Sequence, residues 1–304
     1  EGQPVPQGLD EDVSILQEPL QNIYLVASGA MDMFASLDAV DQIRFSGQKQ
    51  ENWYIQTAKD AMAAGDMIYA GKYSKPDYEL LVSEGCDLAI ENRMITHSPE
   101  VVEMLQSFDI PVMIEYSSYE QHPLGKVEWV KFFGALTGKE AKAEEAFAEQ
   151  TEILEEVESG EKTGKTIAFF YVTSNGLIQV RQSTDYIPKL IELAGGRYIF
   201  ENLEDSGSGR STLNMQVEDF YAGAKDADIL IYNSSIDGGV TTVDELIGKC
   251  NILKDFKAVQ EGQVYCTTND MYQQSMAVGY LLQDMHTVLT DDDTAKLRYL
   301  FLLQ

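Results

Sequence analysis

The chain has 304 residues, of which 44% are hydrophobic, and its 50 acidic and 22 basic side chains give a formal net charge of −28. This length is enough for two folded domains with substantial cores. A field of that sign repels phosphate backbones and anionic lipids, so neither a nucleic-acid partner nor nonspecific membrane adsorption is expected. The sequence contains no run of about 18 apolar residues that would span a bilayer.

The first 19 residues contain three prolines and no basic residue, which predicts an extended and exposed N-terminal leader over residues 1–19. If the protein is exported, the chain is a mature form from which the signal peptide has been removed. The three cysteines, Cys86, Cys250 and Cys266, lack the C-x-x-C spacing of a zinc or redox site. Core packing is the expected role for them, and a disulfide between Cys250 and Cys266 stays an alternative.

Short apolar runs alternate with longer helical patterns from residue 20 onward, which predicts an α/β fold with mainly parallel sheets. An N-terminal lobe over residues 20–136 and a C-terminal lobe over residues 163–304 are predicted. Between them, residues 137–162 form one uninterrupted helical pattern, long enough to join two Rossmann-like βα lobes. The predicted strands are Ile23–Ala27, Gln42–Phe45, Asp87–Glu91, Pro111–Glu115, Lys165–Tyr171, Ala227–Tyr232 and Gln263–Cys266.

In open α/β sheets the ligand lies at the carboxyl ends of the strands, so the loops after the predicted strands are expected to line a shared cleft. These loops are rich in tyrosine, amide, methionine and arginine side chains, which suit a large solute that is partly aromatic and partly anionic. The loop segments are SGAMDM, SGQKQENWY, NRMITH, YSSYEQH, VTSNGLIQVRQSTDY, NSSIDGG and TTNDMYQQ. The residues predicted to contact the ligand are Met31, Tyr73, Arg93, Tyr116, Tyr119, Tyr171, Arg181, Arg210, Asn233 and Tyr272.

Catalytic signatures are missing from the sequence. It contains no G-x-S-x-G elbow, no phosphate-binding G-x-x-x-x-G-K-[ST] loop and no H-E-x-x-H pair. Three histidines are too few for a histidine-rich metal site, and no cofactor or direct protein metal ligand is expected. We therefore predict a binding protein, while an enzyme or a sensor on the same bilobed scaffold stays an alternative.

Six segments, in order, resemble the ABC-transporter solute-binding proteins for iron complexes, which carry ferric siderophores, haem or corrinoids. Together these segments reach from the first lobe to the end of the second, so the resemblance covers nearly the whole chain. The segments are PDYE with CDLAI (residues 76–90), DIPVMIEY (109–116), ALTGKEAKAEE (135–145), YIPKLIELAGG (186–196), LNMQVEDFYAGAKDADILI (213–231) and FKAVQEGQVY (256–265).

The resemblance implies two lobes restrained to small closing motions by the interdomain helix, and delivery of the loaded protein to a membrane ABC permease. It also implies that one glutamate on each lobe is recognised by arginines of the permease, and the matching positions are Glu79 and Glu218. Both glutamates also fit the start of a helix, where a carboxylate is favoured. The location implied is extracytoplasmic, either periplasmic or lipid-anchored, and the protein is expected to be a monomer.

The sequence departs from the family pattern where a Gly-Gly-x-Ser-Phe turn is usual, because residues 181–186 read RQSTDY. Because of that departure, Arg181 is expected to face the predicted cleft, and the identity of the ligand stays open. A ferric siderophore is expected first, haem second and a corrinoid third. With haem, Tyr73 is the expected phenolate ligand of the iron and Arg181 its support.

Overall fold

The computed structural model describes residues 4, 6–10, 13–17, 20–204, 211–236, 238–292 and 294–304. The chain divides into two compact units, each assembled from separate stretches of the sequence. Unit 1 comprises Glu1–Ser118, Glu128–Ala148 and Gln273–Met276, and unit 2 comprises Tyr119–Val127, Glu149–Tyr272 and Ala277–Gln304.

Unit 1 contains a five-stranded parallel sheet of order β3-β2-β1-β6-β7 and a separate two-stranded hairpin, β4–β5. Its strands are β1 (Ile23–Leu25), β2 (Ile43–Ser46), β3 (Ile68–Tyr69), β4 (Gly71–Lys72), β5 (Lys75–Pro76), β6 (Leu88–Asn92) and β7 (Val112–Glu115). Its helices are α1 (Ala30–Ser36), α2 (Gln56–Ala64), α3 (Tyr78–Ser83) and α4 (Pro99–Ser107).

Two further helices, α5 (Pro123–Thr137) and α6 (Glu140–Glu158), each contain residues of both units. The 19 residues of α6 lie inside the long helical pattern predicted from the sequence. No helix in the part of the chain that the structure describes is both long and apolar enough to cross a membrane.

Unit 2 contains a seven-stranded mixed sheet of order β11-β9-β8-β12-β13-β14, with β10 paired to β8. Its strands are β8 (Thr166–Val172), β9 (Ile178–Arg181), β10 (Arg197–Tyr198), β11 (Thr212–Met215), β12 (Ile229–Tyr232), β13 (Val264–Thr267) and β14 (Leu300–Leu302). Its helices are α7 (Tyr186–Leu193), α8 (Val217–Ala224), α9 (Val243–Lys249), α10 (Lys257–Gln260) and α11 (Val278–Thr290).

The α/β class, the seven predicted strands and the parallel first sheet are confirmed. Central strands such as β1 and β12 are buried along their whole length, which is why they read as unbroken apolar runs. The prediction that residues 172–186 form a loop was wrong over Ile178–Arg181, which pairs antiparallel with β8. The turn around Asn175-Gly176 closes this hairpin, since Thr173 N–H donates to the Leu177 carbonyl across it.

The short segment Gln273–Met276 belongs to unit 1 although the sequence on both sides of it belongs to unit 2. The Gln273 side chain accepts a hydrogen bond from Tyr54 N–H (2.8 Å) and donates one to the Asn52 carbonyl (2.8 Å). Met276 N–H donates to the carboxylate of Asp32 at 2.7 Å. These contacts attach a late stretch of chain to early parts of unit 1. All three cysteines are free, so the Cys250–Cys266 disulfide is not formed.

Candidate functional site

A pocket of about 300 Å³ opens in unit 1 at the carboxyl ends of β1, β2 and β6. Carboxyl ends of parallel strands are where α/β sheets bind ligands, and the volume is at the lower end of known small-molecule sites. Tyr73 is the one predicted ligand residue among its lining residues. The lining consists of Val26, Gly47, Gln48, Lys49, Asn52, Tyr69, Lys72, Tyr73 and Asn92.

The wall of the pocket after β2 is fixed by the buried hydroxyl of Ser46. This hydroxyl donates to the Gln48 carbonyl at 2.6 Å and accepts from Gln48 N–H at 3.0 Å. The indole N–H of Trp53, which has no exposed surface, also donates to it at 3.0 Å. Glycine is required at position 47 because a Cβ there would lie 2.8 Å from the Cα of Val26.

The opposite wall comes from the β4–β5 hairpin. The hydroxyl of the fully buried Tyr24 donates to the Gly71 carbonyl at 2.9 Å and so anchors the hairpin to β1. Burial first, and the Glu91 carboxyl second, raise the pKa of Tyr24 far above its ordinary range, so this donor keeps its proton. The hairpin thereby holds Lys72 and Tyr73 at the pocket, where Tyr73 also packs against the core of unit 1.

The pocket concentrates positive charge in a strongly acidic chain. Lys49 lies 3.9 Å from Glu51, but both side chains are more than half exposed, so the pair is weak. Lys72 has no ion-pair partner in the part of the chain that the structure describes. Two ammonium groups, three side-chain amides and two tyrosines line the pocket, and this set can hold an anionic group beside an aromatic one.

Glu91 lies on β6 next to the pocket residue Asn92 and has no exposed surface. Neither of its carboxylate oxygens has a hydrogen-bond partner among the described residues. Burial raises the pKa of Glu91 to about 8, because the charged form cannot be solvated there. The group is therefore mostly a neutral acid at pH 7. Nothing in the sequence distinguished it from an ordinary strand residue.

In unit 2, Arg181 ends β9 and is held from several directions. Its guanidinium forms an ion pair with Asp185 at 3.3 Å and donates a hydrogen bond to the Tyr272 hydroxyl. Its backbone N–H donates to the Tyr198 hydroxyl (3.0 Å), which in turn donates to the Arg181 carbonyl (2.8 Å). The Tyr272 hydroxyl also accepts from the Asn233 amide at 2.7 Å. Three predicted ligand residues, Arg181, Asn233 and Tyr272, are thus brought together.

The remaining predicted ligand residues are dispersed. Met31 has no exposed surface in α1, and Tyr171 packs half-buried against the core of unit 2. Arg93 follows β6, while Tyr116 and Tyr119 follow β7 with 41% and 43% of their surface exposed. Arg210 lies outside the described residues.

Glu79 and Glu218 occupy matching positions in the two units. Each is the second residue of its helix, α3 or α8, and each is exposed. The α3 helix is capped by the Asp77 side chain, which accepts from Leu80 N–H at 3.1 Å. Each helix therefore presents a carboxylate in its first turn, where the backbone N–H groups favour it.

Comparison with known proteins adds to these observations. The family model described as periplasmic binding protein matches residues 27–271. An uncharacterized lipoprotein of Methanocaldococcus jannaschii is 25% identical over an alignment of 304 positions, gaps included. The alignment covers 94% of this chain and 70% of that protein.

Two solved structures share the fold. The periplasmic heme binding protein of Vibrio cholerae superposes with a TM-score of 0.68 at 14% identity, covering 88% of this chain and 98% of that one. The periplasmic catecholate-siderophore binding protein of the same organism has a TM-score of 0.68 at 13% identity, covering 89% and 94%. At these identities the likeness concerns the fold.

Proposed function

Because this chain belongs to the periplasmic binding protein family, we propose that it is the extracytoplasmic solute-binding component of an ABC importer for an iron complex. A ferric siderophore is the first candidate ligand. The observation that carries this proposal is the unit 1 pocket, where two lysines and two tyrosines meet at the carboxyl ends of parallel strands. A chelate already satisfies its iron, so the protein needs only contacts to anionic and aromatic groups of the chelator.

The contacts proposed in unit 2 are Arg181, Asn233 and Tyr272. Their polar groups converge on one tyrosine hydroxyl, which supports a common role. The guanidinium of Arg181 is committed to Asp185, so we assign it a supporting role for Tyr272. Arg93, Tyr116, Tyr119 and Tyr171 stay predicted contacts, whereas the fully buried Met31 is left out of the proposed set.

Haem is the second candidate, and one observation favours it. Tyr73 lines the pocket with part of its side chain accessible, as a phenolate ligand to haem iron must be. The relative that is a heme binding protein shares the fold, which is compatible with this alternative. A corrinoid is the third candidate.

The binding proposal is tested by titrating the purified protein with a ferric siderophore panel, hemin and cobalamin while its tryptophan emission is followed. Quenching with a sub-micromolar Kd for an iron chelate is the expected result. An absorption band near that of ligated haem on adding hemin would favour the second candidate. Failure of every one of these ligands to bind would overturn the iron-complex function.

We further propose that the loaded protein docks on a membrane permease through Glu79 and Glu218. Exposed carboxylates at matching helix starts of the two units support this assignment, because a basic permease surface would be steered onto both. The relative that is a lipoprotein supports an extracytoplasmic location with a lipid anchor. Because both glutamates belong to one chain, we propose that the protein docks as a monomer.

The docking assignment is tested with Glu79→Ala and Glu218→Ala, singly and together, against Glu84→Ala and Asp219→Ala as nearby acidic controls. The double variant should lose stimulation of permease ATPase activity and keep the wild-type Kd for the ligand. Wild-type stimulation by the double variant would contradict the docking role, and a changed Kd would place the residues at the ligand instead.

A further inference from the structure

Two short helices of unit 1 carry an exposed apolar surface beside Glu79. Tyr78 and Val82 lie one turn apart on α3, so they share a face of that helix. Met104 in α4 and Phe108, which directly follows that helix, have the same spacing. The rings of Tyr78 and Phe108 lie 6.1 Å apart between their centroids, which joins the two helices into one surface. The side chains of Tyr78, Val82, Met104 and Phe108 are called the α3–α4 patch below.

The α3–α4 patch is exposed although part of it is fixed to the core. Val82, Met104 and Phe108 have 48%, 44% and 44% of their surface exposed. Tyr78 is half-buried and packs against the core of unit 1. Because its anchored ring contacts that of Phe108, the patch loses less side-chain entropy when a partner covers it. Contiguous exposed apolar surface of this kind marks an interaction site.

The surroundings of the α3–α4 patch are acidic. Every charged residue of α3 and α4 is a carboxylate, namely Glu79, Glu100 and Glu103. Glu100 lies close to the patch, since burial first and the Glu100 carboxylate second raise the pKa of Tyr78. A second copy of the chain would bring like charges together at this surface, so self-association is disfavoured. The partner surface that fits is apolar with a basic rim.

Helix α8 of unit 2 lacks such a patch around Glu218. Over its eight described residues, no large hydrophobic side chain is exposed. Tyr221, one turn after Glu218, packs edge-on against Phe256 with the ring centroids 5.7 Å apart. The ammonium of Lys225 lies 5.7 Å from the centroid of the same tyrosine ring. The two glutamates therefore occupy matching helix positions in unlike surroundings.

We propose that the α3–α4 patch, together with Glu79, is the principal contact of this protein with its permease, and that it meets an apolar permease surface with a basic rim. Apolar contact around Glu79 excludes water, so its ion pair with a permease cation is stronger than that of Glu218. Docking is then asymmetric, with unit 1 supplying most of the affinity and unit 2 mainly charge. This inference rests on the proposed docking function, whose partner surface it describes.

The test measures the Kd between the purified protein and its permease in lipid nanodiscs by biolayer interferometry. The patch variant combines Val82→Gln and Met104→Gln, which remove exposed apolar surface and leave the charge unchanged. Leu302→Gln is the control, because Leu302 is 42% exposed on β14 of unit 2, outside the patch. Glu79→Ala and Glu218→Ala are measured singly, and the melting temperature of every variant is recorded.

The patch variant should bind the permease about tenfold or more weakly at an unchanged melting temperature, whereas Leu302→Gln should match wild type. Raising NaCl to about 0.5 M should weaken wild-type binding but preserve the ratio of the two Kd values, because salt does not screen an apolar contact. Glu79→Ala should weaken binding more than Glu218→Ala does.

Equal Kd values for wild type and the patch variant would overturn the inference. So would a loss for Leu302→Gln as large as that of the patch variant, or an effect of Glu218→Ala that equals or exceeds that of Glu79→Ala. If Glu79→Ala weakens binding while the patch variant does not, the docking function stands and only the role of the patch is lost.

A wild-type protein that does not bind the permease at all would overturn the docking function and this inference together. Sedimentation velocity of wild type and the patch variant tests for a second copy as the occupant. A wild-type dimer that the patch variant dissociates would overturn the inference, because the patch would then be covered in solution.

Discussion

The guanidinium of Arg181 and the carboxylate of Asp185 form an ion pair of 3.3 Å whose side chains are only 10% and 2% exposed. Asp185 also caps α7, because its carboxylate accepts from Ile187 N–H at 3.0 Å. One carboxylate thus orders both the end of β9 and the start of the next helix. The pair is consequently more sensitive to loss of one member than a surface ion pair is.

We expect Asp185→Asn to lower the free energy of unfolding by about 3 kcal/mol, because a buried guanidinium is left without its counter-charge while the cap acceptor is kept. Urea denaturation monitored by circular dichroism measures this. Lys189→Met is the control, since the Lys189–Glu192 pair of α7 is largely exposed and should contribute less than about 1 kcal/mol. Equal effects of the two substitutions would contradict the prediction.

Stability is expected to depend on pH through Glu91. Its pKa is about 8 in the folded protein, against an ordinary value of 4.5 that applies to the unfolded chain. Below 4.5 both states hold the proton, and above 8 both have lost it, so the group adds no slope there. Between these values only the folded state keeps the proton, and the free energy of unfolding falls as pH rises, by about 1.4 kcal/mol per pH unit.

The measurement for Glu91 is a series of urea denaturations at pH 5, 6, 7 and 8 for wild type and Glu91→Gln. The glutamine is neutral throughout, so the difference between the two proteins should grow in favour of the variant as pH rises. A constant difference over this range would show that Glu91 does not titrate there.

The hairpin that carries Lys72 and Tyr73 depends on glycine at position 71. Gly71 has φ of +91°, and a Cβ there would lie 2.3 Å from the Lys75 carbonyl oxygen. Gly71→Ala should therefore cost about 2 kcal/mol or more, and the ligand should bind more weakly because the pocket wall is displaced. Gly85→Ala is the control, with φ of +70° but open space around it, and should cost about 1 kcal/mol with ligand affinity unchanged.

Tyr73→Phe distinguishes the two leading ligands. If haem is the cargo, loss of the phenolate removes an iron ligand, and the absorption spectrum of the hemin complex should shift with at least about a tenfold loss of affinity. If a ferric siderophore is bound, the ring contact is retained and the affinity should change by less than about threefold. Tyr69→Phe, in the same pocket, should leave both spectra unchanged.

The strands were predictable where apolar runs are continuous, as in β8 and β12, because burial on both sheet faces leaves a clear signal. β9 was taken for loop because its sequence, IQVR, alternates polar and apolar residues beside a turn. The structure shows that this alternation belongs to an antiparallel strand with one face in the core of unit 2. The pairing of β9 with β8 is a tertiary contact that composition does not contain.

The candidate site was predicted in part. The loop after β2 was expected at the ligand, and Gly47, Gln48, Lys49 and Asn52 from it line the pocket together with Tyr73. The sequence alone did not decide between a ligand contact and an ion pair for Arg181, since charge balance in a core depends on which side chains meet.

The interleaved course of the chain limits how the protein can be dissected. A fragment that ends at residue 148 would contain the whole parallel sheet and both α5 and the first part of α6. It would still lack Gln273 and Met276, which hydrogen-bond to Asn52, Tyr54 and Asp32. Neither unit corresponds to one continuous stretch of sequence, so a truncated gene is a poor source of an isolated lobe. A permuted gene that joins the segment ending at residue 276 directly to the N-terminal region would be a better starting point for engineering an isolated unit 1.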